Sequence, residues 1–374
     1  MNVRYFKQLP MLMASLGLYA ATAEKKHENL MQPEGCVELC YAGPQLACDE
    51  QWDVSAAAIY FQAQAQGVDV ALVTQDRTNA TYPVNGMSIQ PPESLNWGLK
   101  AGIGYKLFKD DWKIATRYTY FNTVANTAME TAYGTAFIPS RYTNQYIGGD
   151  SNQVYKLFNN MQLGTRTTVN NVNVIAMRPS YVDQKVQLST YYGIDLTFMN
   201  RRNVSVYTND VTIAPAAGPR YASNLGGFLQ NYQKYTWWGV GPMVGAKGKF
   251  YVNYDVSLYA DVYGALNYGS SRCRVATASR PSLPATVVTG NTLPQEAVIN
   301  NEIYQFSPEF SYQLGVNWTK VTEDSTLLMG LNIGYEATYF FNVIKSLIPE
   351  TAYNAEEGSG LGIQGLVLEG YLHF

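Results

Sequence analysis

Histidine is nearly missing from this 374-residue chain, which holds only His27 and His373. A Ser-His-Asp site therefore has little to draw on, and no spacing among the carboxylates singles out a catalytic pair, so the chain is not expected to be an enzyme. Charge is also scarce. Charged residues make up 15% of the chain, against roughly 25% in ordinary soluble domains. The 26 basic and 29 acidic residues give a formal net charge of -3, which offers no electrostatic case for binding nucleic acid. Beyond the first segment no run reaches the about 18 apolar residues of a membrane-spanning helix, so a helical membrane bundle is excluded. What abounds is tyrosine, with 30 residues, and glycine, with 31, in a chain that is 47% apolar. Many half-apolar strands fit that mixture, in a soluble all-β protein or in a transmembrane β-barrel.

The first 23 residues have the grammar of an export signal. Arg4 and Lys7 precede an apolar stretch from Leu9 to about Tyr19, which ends in Ala21, Thr22 and Ala23. Such an order of charge, apolar stretch and A-x-A site marks a secretory signal peptide over 1–23. Its removal takes the net charge to -5. The expected division is this leader, a cysteine-containing periplasmic segment over 24–50, and a barrel over 51–374.

Alternation of apolar and polar residues, the mark of a strand with two unlike faces, recurs along the rest. Leu95, Trp97, Leu99, Ala101, Ile103, Tyr105 and Leu107 alternate with Asn96, Gly98, Lys100, Gly102, Gly104 and Lys106. From Tyr304 to Trp318 the even positions are Tyr, Phe, Pro, Phe, Tyr, Leu, Val and Trp, against Gln, Ser, Glu, Ser, Gln, Gly and Asn. Similar patterns cover 112–120, 186–198, 256–266 and 327–339, with weaker ones near 51–64, 203–213 and 234–250. A last segment over about 360–374 brings the count to ten.

The connections alternate in length. Short ones are expected at 108–111, 199–202, 252–254 and 320–325, and long ones at 65–93, 127–181, 214–233, 270–301 and 342–358. Short periplasmic turns and longer extracellular loops are the asymmetry of outer-membrane barrels. A soluble sandwich shows the same alternation with its faces reversed, but these segments run 10 to 15 residues, beyond the usual 5 to 6 of a soluble strand. Trp97, Trp112, Trp318, Tyr339 and Phe340 lie near strand ends, where interfacial girdles form. The fold expected is an antiparallel transmembrane β-barrel of about ten strands, or twelve if 127–181 hides a hairpin through Val172 to Met177. The final strand places Leu366, Leu368, Gly370 and Leu372 in step with Phe374, an ending that resembles the signal read by the outer-membrane assembly machinery.

The stretch from Trp97 to Phe121, WGLKAGIGYKLFKDDWKIATRYTYF, resembles a hairpin of the pore-forming major outer membrane proteins of legionella and chlamydia-related bacteria. Two further stretches are similar to that family. One runs from Trp238 to Gly269, with WGVGPMVGAK followed by SLYADVYGALNYG; the other is the piece from Tyr192 to Phe198. The resemblance implies an integral outer-membrane porin through which ions and small hydrophilic solutes diffuse. It implies no cofactor. The alternative is an envelope scaffold or adhesin acting through long loops and disulfide crosslinks.

If the barrel forms, function lies in its lumen. Lys100, Lys106, Lys113, Arg117, Lys247 and Lys249 fall on expected inward faces, as do Asp195, Asp255, Asp261, Glu309, Glu336 and Glu369. Opposed patches of these charges could select ions, or they could be salt bridges that fill a narrow barrel. Cys36, Cys40 and Cys48 have no standard zinc spacing, and in an exported chain a disulfide is the readier use. One bridge among the three leaves a thiol over, and Cys273 is expected on the other side of the membrane. The spare thiol is expected to link to another envelope protein or protomer, as the family's resemblance suggests. The other expected partners are outer-membrane lipid and lipopolysaccharide.

Overall fold

The computed structural model describes residues 52–65, 70–74, 86–107, 112–131, 136–139, 158–183, 185–208, 228–280, 295–322, 327–349 and 354–374. The leader, the segment 24–50 and Cys36, Cys40 and Cys48 lie outside them. The described chain forms β1 (Trp52–Ala65), β2 (Ala71–Thr74), β3 (Met87–Ile89), β4 (Asn96–Lys106), β5 (Lys113–Glu130), β6 (Ala136–Pro139) and β7 (Asn160–Asp183). There follow β8 (Val186–Thr208), β9 (Phe228–Tyr251), β10 (Val256–Arg280), β11 (Gln295–Val321), β12 (Leu328–Pro349) and β13 (Asn354–His373). Among the described residues no helix is long and apolar enough to cross a membrane. The crossings are made by strands.

Ten strands close into a barrel in the order β1-β13-β12-β11-β10-β9-β8-β7-β5-β4. Neighbours are antiparallel throughout. The ring shuts where Trp52 N donates to Phe374 O at 2.9 Å and Phe374 N to Trp52 O at 3.0 Å. Closure gives every barrel strand a hydrogen-bonded neighbour on both sides and leaves no open edge, which a bilayer without water demands.

The alternation read in the sequence sets the faces. On β11, Tyr304, Phe306, Phe310, Leu314 and Trp318 stand exposed on the outer wall, while Ser307, Glu309, Ser311 and Asn317 are buried inside. The expected phase holds likewise on β4, β8, β10 and the lower part of β12. One aromatic breaks it. Phe340, expected in a girdle, is buried in the lumen, because it shares the even, inward phase of Asn332, Glu336 and Thr338 on β12.

The ten-strand count stands because two differences offset each other: the strands expected at 186–198 and 203–213 are one, and β7 stands where a loop was expected. The turn expected at 199–202 does not form, since β8 runs unbroken from Val186 to Thr208. The loop expected over 127–181 shrinks to the connection 131–159, with β5 reaching Glu130 and β7 starting at Asn160. Both errors have one cause. Where a strand rises above the lipid its outer face turns polar, as at Arg166, Thr168, Asn200 and Arg202, and the contrast between faces disappears.

At one end of the barrel the strands are joined through 107–112, 184–185, Val252–Asp255 and 322–327. At the other they are joined through 66–95, 131–159, 209–227, 281–294 and 350–353. The last of these is short, contrary to the expected 342–358, because β12 and β13 continue pairing to Pro349↔Asn354 beyond a bulge between Phe340 and Ile344. Asn342 makes that bulge at a φ of 56°, a left-handed conformation that asparagine tolerates better than most residues. Val343 and Ile344 are consequently both buried.

A three-stranded sheet, β3-β2-β6, is folded from the two longest connections. It packs into the extracellular mouth. Val70, Ala71, Ile89 and Phe137 cluster with Met161 and Leu163 of β7, Tyr207 of β8 and Leu229 of β9, all on the inward face. Tyr207 OH donates to Val70 O at 2.6 Å, and Thr165 Oγ1 to Pro92 O at 2.8 Å.

Candidate functional site

Most of the charges expected inside are inside, and they meet across the lumen. Arg117 on β5 and Asp261 on β10, four places apart in the ring, pair at 3.2 Å. Lys100 on β4 pairs with Glu336 on β12, and Lys113 on β5 with Asp53 on β1. These pairs tie non-adjacent strands, so they form a belt through the bore. A cavity of ≈ 90 Å³ lies within it, lined by Lys100, Arg117 and Lys247 and by Asp261, Glu336 and Glu369, among others. That is room for several waters.

Local packing explains why the belt assembles. Tyr191 on β8 lies over its cross-strand partner Gly245. A Cβ there would come within 2.4 Å of the ring. The bare glycine lets the tyrosine lie flat, so that its hydroxyl donates to Asp261 Oδ1 at 2.5 Å. Arg117 then sits 5.4 Å from the centre of the same ring, within cation–π range. One carboxylate is thereby held by both a cation and a phenol.

Asp195 is fully enclosed. Its Oδ1 accepts from Asn171 at 2.5 Å and Asn173 at 2.6 Å, and its Oδ2 from Thr197 at 2.8 Å and Asn267 at 2.6 Å. Four donors replace the water that the group loses, as a buried carboxylate requires. Asn267 Nδ2 also reaches Glu309 Oε2 at 3.2 Å, and Tyr263 OH donates to Glu309 Oε1 at 2.9 Å. Glu369 accepts from Asn332 at 2.6 Å. Lys106 holds an inward position nearer the short turns, and Lys249 Nζ lies 5.7 Å from the centre of the Tyr371 ring.

Asp255 does not join them. It is exposed in the Val252–Asp255 turn, because β10 begins only at Val256 and the alternation that placed it inside has not yet started. Leu372 and Phe374 are exposed on the outer wall. Cys273 is buried inside β10, in an apolar layer that also holds Ile59, Phe61, Phe121, Trp237 and Phe340. That layer and the belt follow one another along the lumen. On β1, for example, Asp53 belongs to the belt, and Ile59 and Phe61 to the layer.

Tyr191, Tyr263, Asn267 and Thr197 were not singled out as site residues, although each shares the phase of a charge on its strand that was; Asn171 and Asn173 fall on β7, within the loop expected over 127–181. Residue parity was the available signal. Arg201 was hidden by the false turn. It is buried, and its Nη1 donates to Thr167 Oγ1 at 3.1 Å.

A closed ring of long antiparallel strands, apolar outside and charged within, defines an integral outer-membrane β-barrel of a Gram-negative envelope. The chain belongs to the family described as Legionella pneumophila major outer membrane protein precursor, whose model matches residues 46–374. No curated protein matches the sequence. Solved structures similar to it include the outer membrane protease OmpT of Escherichia coli, at 10% identity and a TM-score of 0.34, covering 88% of this chain and 98% of that one. A major outer membrane protein of Thermus thermophilus has 10% identity and a TM-score of 0.29 over 87% and 100% of the two chains. The toluene transporter TbuX of Ralstonia pickettii has 11% identity and a TM-score of 0.27 over 89% and 92%. At such identities and scores the likeness carries nothing about activity or cargo.

Proposed function

We propose that the protein is a narrow outer-membrane pore for ions and small hydrophilic solutes, and not an enzyme. The observation that carries the reading is the belt of ion pairs crossing the lumen. Replacing a buried ion pair by apolar side chains of similar volume is often neutral or stabilising by about 1–4 kcal/mol. A barrel that needed only to be filled would gain nothing from Arg117, Asp261, Lys100 and Glu336. Fixed charges around a cavity with room for several waters suit the passage of ions. The apolar layer and the inward sheet then act as the constriction, since hydrophobic narrowings gate by excluding water.

The same apolar layer favours a second reading, a filled barrel that serves as an envelope scaffold. Liposome swelling separates the two. Vesicles holding the refolded protein should swell in small sugars and cease to do so as sugar size rises. A folded barrel that gives no swelling with any solute, together with no ion current, favours the scaffold.

A further inference from the structure

We infer that the outer wall carries a binding site for the phosphates of a lipopolysaccharide molecule, built from Arg166, Arg202, Lys234 and Arg274. The four lie in one line of directly paired residues across β7, β8, β9 and β10: Arg166↔Arg202, Arg202↔Lys234 and Lys234↔Arg274. All four hold outward positions, with the three arginines exposed and Lys234 half-buried. Three strand spacings make the row about 14 Å long.

Like charges placed directly opposite repel, and the described residues supply little to offset them. Arg166 Nε donates to Asn122 Oδ1 at 3.1 Å. The nearby acid Glu302 is engaged by Arg272 at 2.9 Å. Among the described residues no carboxylate pairs with any of the four. An unneutralised row on a wall is a demand for an anion.

Its height says which anion. Read from the short turns, the outward positions of β9 run Phe250, Val244, Val240 and Trp238, and then Thr236 and Lys234; those of β10 run Leu258, Val262, Leu266 and Tyr268, and then Ser270, Arg272 and Arg274. On β8, Phe198 is followed by Asn200 and Arg202. On β7, Val172 is followed by Asn170, Thr168 and Arg166. The basic residues therefore stand beyond the continuous apolar stretch that ends at Val172, Phe198, Trp238 and Tyr268, at the headgroup level, with Tyr232 of β9 one outward position further on. This is the loop-bearing end, which faces the extracellular leaflet. In a Gram-negative outer membrane that leaflet is made of lipopolysaccharide, whose phosphorylated sugars lie at this depth. Guanidinium groups match phosphate oxygens two bonds at a time.

A groove of ≈ 660 Å³ adjoins the row on the same wall. Arg166 and Arg202 line it, with Val124 level with them on β5 and Val204, Val206 and Tyr232 beyond. Aliphatic and aromatic faces beside a cationic floor suit a phosphorylated saccharide better than the small headgroup of a glycerophospholipid.

The test uses the full refolded barrel in detergent micelles doped with purified bisphosphorylated lipid A, dephosphorylated lipid A or phosphatidylglycerol, read by native mass spectrometry. The wild type should retain bisphosphorylated lipid A at least 10-fold better than either other lipid. The substitutions Arg166→Gln, Arg202→Gln, Lys234→Gln and Arg274→Gln made together should abolish that preference, while the heat-modifiable gel shift shows the barrel still folded. The double variant Arg166→Gln and Arg202→Gln, a milder change, should lose most of it. Equal retention by wild type and either folded variant would overturn the site, and equal retention of phosphatidylglycerol would overturn its assignment to lipopolysaccharide.

Discussion

Asp261 is held by Arg117 across the bore and by the Tyr191 hydroxyl from the wall, so changes at these residues report on the belt directly. The cavity is lined by three basic and three acidic side chains, and removing one sign should tilt its selectivity toward the other. Asp261→Asn should shift the reversal potential in a salt gradient toward anions, and Arg117→Gln toward cations. Breaking a fully buried pair costs about 3–5 kcal/mol; with the Arg117 side chain still 32% exposed, about 1–2 kcal/mol is expected here. Urea unfolding of the refolded barrel measures that loss. Gly245→Val should displace the Tyr191 ring, free the Asp261 carboxylate from its phenol partner and so change the reversal potential without removing any charge. A reversal potential unchanged by Gly245→Val would show that the tyrosine does not position the carboxylate.

At the scale of elements, the bulge in β12 and the sheet in the mouth make separate predictions. Asn342 carries a φ of 56°, which glycine adopts freely and a β-branched residue resists. Asn342→Gly should therefore be near neutral, while Asn342→Val should lower stability by about 1–2 kcal/mol, read from the same unfolding curves. Tyr207→Phe removes the hydroxyl that ties β8 to Val70 O, and losing such a bond costs about 1–3 kcal/mol when the partner stays buried. If the sheet narrows the path, that variant should conduct in longer or larger openings than the wild type. Identical openings would show that the sheet is no part of the constriction.

Sequence alternation read the lipid-embedded elements well and their extensions poorly. From Tyr304 to Trp318 the two faces differ so sharply that the phase of β11, and the inward place of Glu309, could be read residue by residue. Where β7 and β8 leave the membrane no such contrast exists, and Arg201 falls in a stretch that reads as a turn. The belt's charges were legible one at a time through parity, whereas their pairing was not. Partners such as Lys100 and Glu336 are joined only by the curvature and closure of the ring, which no local pattern records. Asp255 marks the limit of parity, which fails as soon as a strand ends.

For the whole molecule, the orientation follows from the ends of the strands and can be checked on cells. An epitope placed within 281–294, between β10 and β11, should be stained on intact bacteria. The same epitope in the Val252–Asp255 turn should be stained only after the outer membrane is opened. The reverse pattern would invert the barrel and move the basic row of the outer wall to the periplasmic leaflet. Every charge of the belt lies inside one ring, so belt substitutions should leave the heat-modifiable gel shift of the folded barrel intact.

Single-channel recording in a planar bilayer tests the central claim most directly, because it asks whether the charged lumen conducts. The refolded wild type should give small, reproducible steps, and Asp261→Asn and Arg117→Gln should move its reversal potential in opposite directions. A folded, heat-modifiable barrel that never conducts, or one whose reversal potential ignores both substitutions, would contradict the account.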